Sequence, residues 1–409
     1  MSLHQLGPLI RLWGLPLTDI PPPGVTSDDL APFLITILQE AVPFLDTISP
    51  RGNTTSEPSP PWKSKGTKTY PDSTASVDIL ERTIPTTELE LIMARSHLAH
   101  SHEQATKLRP EIWACRRSVH EDAARRGTAS WDEFVDALKV RHAEAEEDFT
   151  PNIRSIHTPL EWDCSGVEAE EGGVVWRDFT LKVHESKHAL AGPLKNRVFA
   201  VLQMTASAAG EDAKEFVVVS IAINDFANAP EAVLSKEKGP VAGAYTSVER
   251  VRKLESGEIE WVMATASDAK GVLPLWVQAK AVPGQVAKDV SLFLSWAEKE
   301  RSKVRDGTKA PEHTAQQGNG TGPSCRQGGK TAEHGTEGEP VAANEVTEPE
   351  AAVVQGDAGT AKSEPAGPSE TTGATDSSPP SVPPKNDEIN PDEREGVVAK
   401  ETSAPKAEA

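Results

Sequence analysis

Apolar positions recur at helical spacing early in the chain. Leu30, Leu34, Ile37, Leu38, Ala41, Leu45 and Ile48 form one stripe, which predicts a helix over 27–48. Ser27, Asp28 and Asp29 supply favoured N-terminal chemistry, and Pro32 falls in the first turns. Phe33, Ile35, Val42 and Phe44 make the other faces apolar too, so this helix is expected either to be deeply packed or to cover something greasy. Residues 49–61 break the pattern with a polar, Pro-rich loop; a strand is expected within 62–84, and 85–109 fits neither period. Alternation appears over 112–120, with Trp113, Cys115, Arg117 and Val119 on one side. Ser130 opens a second helix with Glu133 three residues on, a capping box. Its face is Trp131, Phe134, Val135, Leu138, Ala145 and Phe149, and Pro151 stops it.

The period then changes to two for more than a hundred residues. Candidate strands are 153–163, 174–184, 197–207, 215–224, 243–254 and 258–267, the last pair joined at Ser256-Gly257. Consecutive strands with short links favour an antiparallel meander. A helical stretch over 274–301 follows, interrupted at Pro283-Gly284, with Val282, Val286, Val290, Phe293 and Ala297 on one face. The class is α+β, a curved antiparallel sheet with helices against one side. A sheet that grips a terminal helix leaves a hollow suited to a small molecule.

Composition divides the chain of 409 residues into two materials. All twenty aromatic residues lie at or before Trp296, and from Ser302 onward there is no Leu and only one Ile, Ile389. Such a segment has little apolar surface to offset the entropy of ordering. The expected organisation is an N-terminal helical segment and Pro-rich loop over 1–61, a domain over 62–300, and a disordered acidic tail over 301–409. Residues 302–409 hold 10 basic and 19 acidic side chains, within a total net charge of −20. No positive stripe is visible, so nucleic acid is not an expected partner. The short basic groups at Lys63, Lys65 and Lys68, and at Arg116 and Arg117, read as solvated strand ends.

Cys115, Cys164 and Cys325 are odd in number and far apart, signalling neither a disulfide framework nor a structural zinc site. The N-terminal stretch has Arg11 in its middle and no charged leader, unlike a signal peptide. The longest apolar run, Phe216 to Ile223, contains Ser220 and is far short of a membrane span. A soluble, cytoplasmic protein is expected, and peripheral membrane contact is compatible with that.

The stretch from Ser267 to Trp296 resembles the strand-to-helix junction of START domains, the lipid-transfer modules of the helix-grip fold. Asp268, Lys270, Gly271, Pro274 and Trp276 match that junction, with Ala269 in place of a Pro. Arg197 and Phe199 resemble the family's Arg-Asp-Phe strand start, with Val198 between them, and Val248 to Val251 before the hairpin is similar to the preceding strands. The phrases PWKSKGTKTYPDS, CRRSVHEDA, EWDCSGVE, GPLKNRVF and ASDAKGVLPLW resemble a START-like family of fungal proteins with no assigned function, over about 25–298, most recognisably 110–298. The resemblance implies a helix-grip fold with a long C-terminal helix over an apolar cavity, and a lipid or other hydrophobic small molecule bound there.

On that basis the apolar wall is expected from Trp113, Phe179, Leu181, Val201, Phe216, Val218, Trp261, Met263 and Trp276, and the lid from Val286, Val290 and Phe293. Arg117 with Glu249 is the expected cavity pair or head-group contact, since a buried charge must be paired or meet a charged ligand. No catalytic residue, metal or cofactor is assigned. The alternatives are an enzyme on the same fold, a cyclase or hydrolase using Arg117, His120 or Glu249, and an interaction module with a filled core.

Other motifs compete less well. His184-Glu185-Ser186-Lys187-His188 satisfies a zinc-protease pattern, but it ends the alternating run Phe179–Val183. Two histidines four apart in a strand stand about 13 Å apart, too far for one metal. His97, His100 and His102 read as a polar loop. The Gly-rich stretch before Lys330-Thr331 lacks the first Gly of a phosphate loop, and there is no Gly-x-Ser-x-Gly elbow. In the tail, Pro380 to Lys385 fits a polyproline ligand of Src-homology-3-type domains, a candidate protein-binding segment.

Overall fold

Helix α1 (Ser27–Asp46) opens one residue earlier than the Ser-Asp-Asp run suggests, because the Thr26 hydroxyl accepts the Asp29 N–H at 3.2 Å. Asp28 and Asp29 then sit in the first turn, where the helix dipole favours negative charge. Pro32 and Pro43 each remove a backbone hydrogen bond from it. Burial of Leu30, Leu34, Ile37, Leu38, Ala41, Val42, Phe44 and Leu45 holds the helix together nonetheless. A computed structural model describes residues 7–50, 61–96, 98, 108–190, 192–210, 214–272 and 274–307; of Leu275 and Trp276 it describes the backbone. His97, His100, His102, Cys325, Pro380 to Lys385 and the expected tail beyond 307 lie outside the described residues.

Where one strand is expected there are two, β1 (Lys63–Lys68) and β2 (Val77–Ile84), and the ambiguous segment after them holds α2 (Thr86–Arg95). β3 (Glu111–His120) follows. The six expected strands appear as β4 (Ile153–Trp162), β6 (Val174–His188), β7 (Arg197–Ala208), β8 (Glu215–Ala222), β10 (Ala244–Lys253) and β11 (Ile259–Asp268). Two short additions, β5 (Ala169–Glu171) and β9 (Val241–Ala242), pair with β6 and β7. The order along the sheet is β1-β2-β3-β11-β10-β8-β7-β6-β4. Every neighbouring pair on that path is antiparallel. The meander is thus broken once, where β3 docks against β11. Bulges between Ser64 and Gly66, between His157 and Leu160, and between Arg177 and Thr180 bend the strands.

The capping box at Ser130 forms as expected: Glu133 N–H donates to the hydroxyl at 3.4 Å, and Ser130 N–H donates to the Glu133 carboxylate at 2.7 Å. The helix it opens is broken, however, into α3 (Trp131–Val135), a π turn over Asp136–Val140 and α4 (His142–Phe149). Arg141 leaves helical geometry at φ −110°, ψ 37°, and its guanidinium clips back onto Asp136. The opposite correction applies at the C-terminus, where α5 (Leu275–Arg305) passes through Pro283 without a break. One missing N–H costs less than the packing of the residues after it.

Helices cover both faces of the sheet rather than one. α1 lies with Trp113, Cys115, Leu181, Leu202, Met204, Val217, Val219 and Val262 in one apolar core. α3 to α5 lie on the other face, with Phe134, Phe216, Val218, Trp261, Val290 and Phe293 in a second. The sequence carries this in β8, where every residue after Glu215 is buried. A strand buried on both faces reads as a continuous apolar run rather than an alternation. The sheet gripping α5 is the helix-grip layout that the resemblance implies.

Candidate functional site

The face that meets α5 is the hollow side of the sheet, and strand register decides what points into it. Across three adjacent strands Arg116, Met263 and Glu249 stand directly opposite one another. Arg116 Nη2 donates to Glu249 Oε1 at 3.1 Å, and Trp261 Nε1 donates to the same oxygen at 2.6 Å. The guanidinium carbon lies 3.7 Å from the centre of the Trp261 ring, a cation–π stack. Arg116 is 2% exposed, and its Nε and Nη1 donate to nothing among the described residues.

Polar side chains continue from this pair. His120 is fully buried, with Nε2 2.8 Å from Ser118 Oγ. Burial, and then the nearby Arg116 charge, push its pKa down to about 3, so it is a neutral imidazole. Tyr245 hydrogen-bonds Ser220, and burial holds its phenol well above the usual range. Gln203 and Ser220 approach at 3.5 Å, Thr180 and Thr205 share a 2.8 Å hydrogen bond, and His184 Nδ1 lies 2.8 Å from Thr158 Oγ1. Two carboxyls reach the hollow from the helices. Asp289 of α5 is raised to about 7, by burial first and with Glu146 and Glu249 adding repulsion against the opposing pull of Arg116. Glu146 of α4 is raised chiefly by burial, with His142 opposing and Glu249 reinforcing the shift.

Accessible surface remains among these groups. Tyr245, Met263, Glu146 and Asp289 are half-buried, and Glu146 keeps 36% of its side-chain surface accessible. Yet burial is the largest influence on the Glu146, Asp289 and Tyr245 groups. A cleft of about 650 Å³ also lies at the far edge of the sheet, between residues 161–168 and 177–180. It carries Glu161, Asp163, Glu168 and Asp178 against a single Arg177, and no buried charge points into it.

Several expected site residues stand elsewhere. Trp113, Phe179 and Leu181 pack in the α1 core, behind the sheet from α5. Phe216, Val218, Trp261, Val290 and Phe293 share the α5-side core, Val286 is buried on the same helix, and Val201 lies on the strand face of Gln203. The Trp276 side chain lies outside the described residues. Arg117 does not meet Glu249: it binds Glu260 at 2.7 Å on the α1 face, where Ser49 and Arg252 complete a network. The partner of Glu249 is Arg116, one residue away, read from sequence as a solvated strand end. A shift of one residue in a strand moves a side chain to the opposite face.

The histidine pair of the protease-like pattern is embedded in β6. Glu185 is fully buried and accepts the backbone N–H groups of Val233, Leu234 and Ser235 at 2.8, 3.2 and 2.7 Å, pinning the loop after β8. Burial raises its pKa, but the Ser235 and Val233 bonds outweigh that and hold the carboxyl below its usual range. Among the described residues no three His, Cys, Asp or Glu side chains gather to hold a metal. Burial of Cys115 pushes its thiol far up, against the nearby arginines, so it is no nucleophile. Among the described residues no helix is long and apolar enough to cross a membrane.

A family model described as "Protein of unknown function (DUF3074)" matches residues 113–297. No curated protein matches the sequence. Among solved structures, human STARD10 is similar at 14% identity and a TM-score of 0.36, over 60% of this chain and 77% of that one. The human StAR-related lipid transfer protein 5 is similar at 13% identity and a TM-score of 0.37, over 68% of this chain and 98% of that one. The human StarD13 lipid transfer and protein localization domain is similar at 14% identity and a TM-score of 0.35, over 57% of this chain and 87% of that one.

Proposed function

We propose that this protein binds a lipid or other hydrophobic small molecule between the hollow face of the sheet and α5. What supports the reading is the surface that Tyr245, Met263, Glu146 and Asp289 keep accessible where the sheet meets the helices, beside side chains that are otherwise buried. Phe134, Trp261 and Phe293 cluster on the same side of the sheet, with ring centres 4.9 to 5.5 Å apart. An apolar wall with a few convergent polar groups is the usual make-up of a small-molecule site. The polar groups do not amount to a reaction centre: His120 is neutral and hydrogen-bonded to Ser118, and Glu249 is held by Arg116 and Trp261.

Native mass spectrometry of the full chain, followed by organic extraction, tests this directly. A co-purified hydrophobic molecule is expected, displaced or reduced in Met263→Trp, which enlarges a partly accessible side chain on the sheet face beside the Arg116–Glu249 pair. A chain that carries nothing, and takes up no hydrophobic probe, would sink the reading.

A further inference from the structure

The N-terminal segment packs into the core on the α1 side of the sheet, and two carboxyl groups hold its backbone there. Glu111 of β3 accepts the Leu12 N–H at 2.9 Å and pairs with Arg11 Nη1 at 3.1 Å. Glu40 of α1 accepts the Leu9 N–H at 3.1 Å and the Ile10 N–H at 3.0 Å. Gly7 passes so close to Glu40 that any side chain there would overlap the carboxyl. Further along, the Leu15 backbone bonds to Ala222 and Asn224, and the Leu17 N–H donates to Asp225 at 2.8 Å.

The two carboxyls differ in how their charge is met. Glu111 carries the Arg11 guanidinium, whereas Glu40 is 8% exposed and forms no ion pair among the described residues. We infer that Glu40 is a pH-sensitive latch: protonated, it keeps residues 7–10 against α1, and ionised, it lets them loosen while residues 11–17 stay docked. Burial raises its pKa to about 7, outweighing the Ile10 and Leu9 bonds and the pull of Arg11. That value lies above the ordinary 4.5, so the latch is strongest in acid and is lost as pH rises through 7. The other charges packed here are matched among themselves. Arg11 holds Glu111, and Arg82 of β2, which Arg11 repels, faces Glu88 of α2 at 3.9 Å. A charge on Glu40 therefore has no cation of its own to meet.

Amide hydrogen exchange of the full-length chain, resolved to single residues and corrected for the intrinsic effect of pH, tests the latch. Protection of Leu9 and Ile10 is expected to fall about tenfold between pH 6 and pH 8. Leu12, whose acceptor is paired with Arg11, and Leu15, whose acceptor is a backbone carbonyl, are expected to change by less than about twofold. Glu40→Gln keeps an acceptor oxygen and cannot ionise, so its Leu9 and Ile10 protection is expected to stay level over the same range. The wild-type profile decides the matter if that variant does not fold. Constant protection at Leu9 and Ile10 overturns the inference. So does an equal fall at all four amides, which would mark opening of the whole segment, and so does an unchanged fall in Glu40→Gln.

Discussion

At the scale of single residues, the ionisable groups inside the fold set its response to pH. Asp289 has a folded pKa of about 7 against an ordinary value of 3.8. The native state therefore holds that proton more tightly, and its contribution to stability is lost as pH rises from about 4 through 7. His120 acts in the opposite direction: with a folded pKa of about 3, its contribution is lost as pH falls below 6.5. Asp289→Asn should raise stability at pH 8 by about 1–3 kcal/mol and flatten the fall in melting temperature between pH 5 and 8. Equal pH profiles for variant and wild type would show that Asp289 titrates normally. Glu185 offers a second residue-scale test, because its truncation leaves three backbone N–H groups near the β6 edge without their acceptor. Glu185→Ala should cost about 2–3 kcal/mol in denaturant unfolding. A zinc role would show instead as stability that responds to a chelator.

At the scale of elements, α5 joins an aromatic cluster through Phe293. Phe293 meets Phe134, Trp261 and Phe149 with ring centres 4.9, 5.3 and 6.2 Å away. Phe293→Ala should cost about 3–5 kcal/mol and loosen the helix from the sheet, seen as faster amide exchange over α5 than over β10. Equal protection of both elements would mean that other contacts hold the helix. Ser130→Ala removes half of the capping box and should cost about 1 kcal/mol. The elements themselves were legible wherever one local signal dominated, as in the Ser130 box, the Ser256-Gly257 hairpin and the strands 197–208 and 244–253. Legibility failed where a long-range term decided the outcome. Pro283 reads as a helix break, but packing after it at Val286, Val290 and Phe293 carries α5 through. Val135 to Val140 reads as uninterrupted helix, yet the chain there makes a π turn closed by Arg141 on Asp136.

For the whole molecule, the contrast between an aromatic-rich first part and an aromatic-free remainder bears on stability. Removing residues 308–409 should leave the melting temperature within about 2 °C, since that segment has almost no apolar surface to bury. A large drop would mean that it packs on the domain. Within the domain, the amino-acid order by itself determined the class, the run of antiparallel strands and the terminal helix, because periodicity and turn chemistry are local. The apolar run from Phe216 to Ala222, interrupted only at Ser220, is likewise a local mark of a strand buried on both faces, as β8 is. Tertiary structure alone decided which face each side chain took. The alternation at β3 groups Trp113 with Arg117 correctly, but nothing local says that α1 covers that group and α5 covers Arg116. Register across β3, β11 and β10 then sets Arg116 beside Glu249, residues 133 apart in the chain. The physical reason is that a strand's two faces are equivalent until a helix distant in sequence buries one of them.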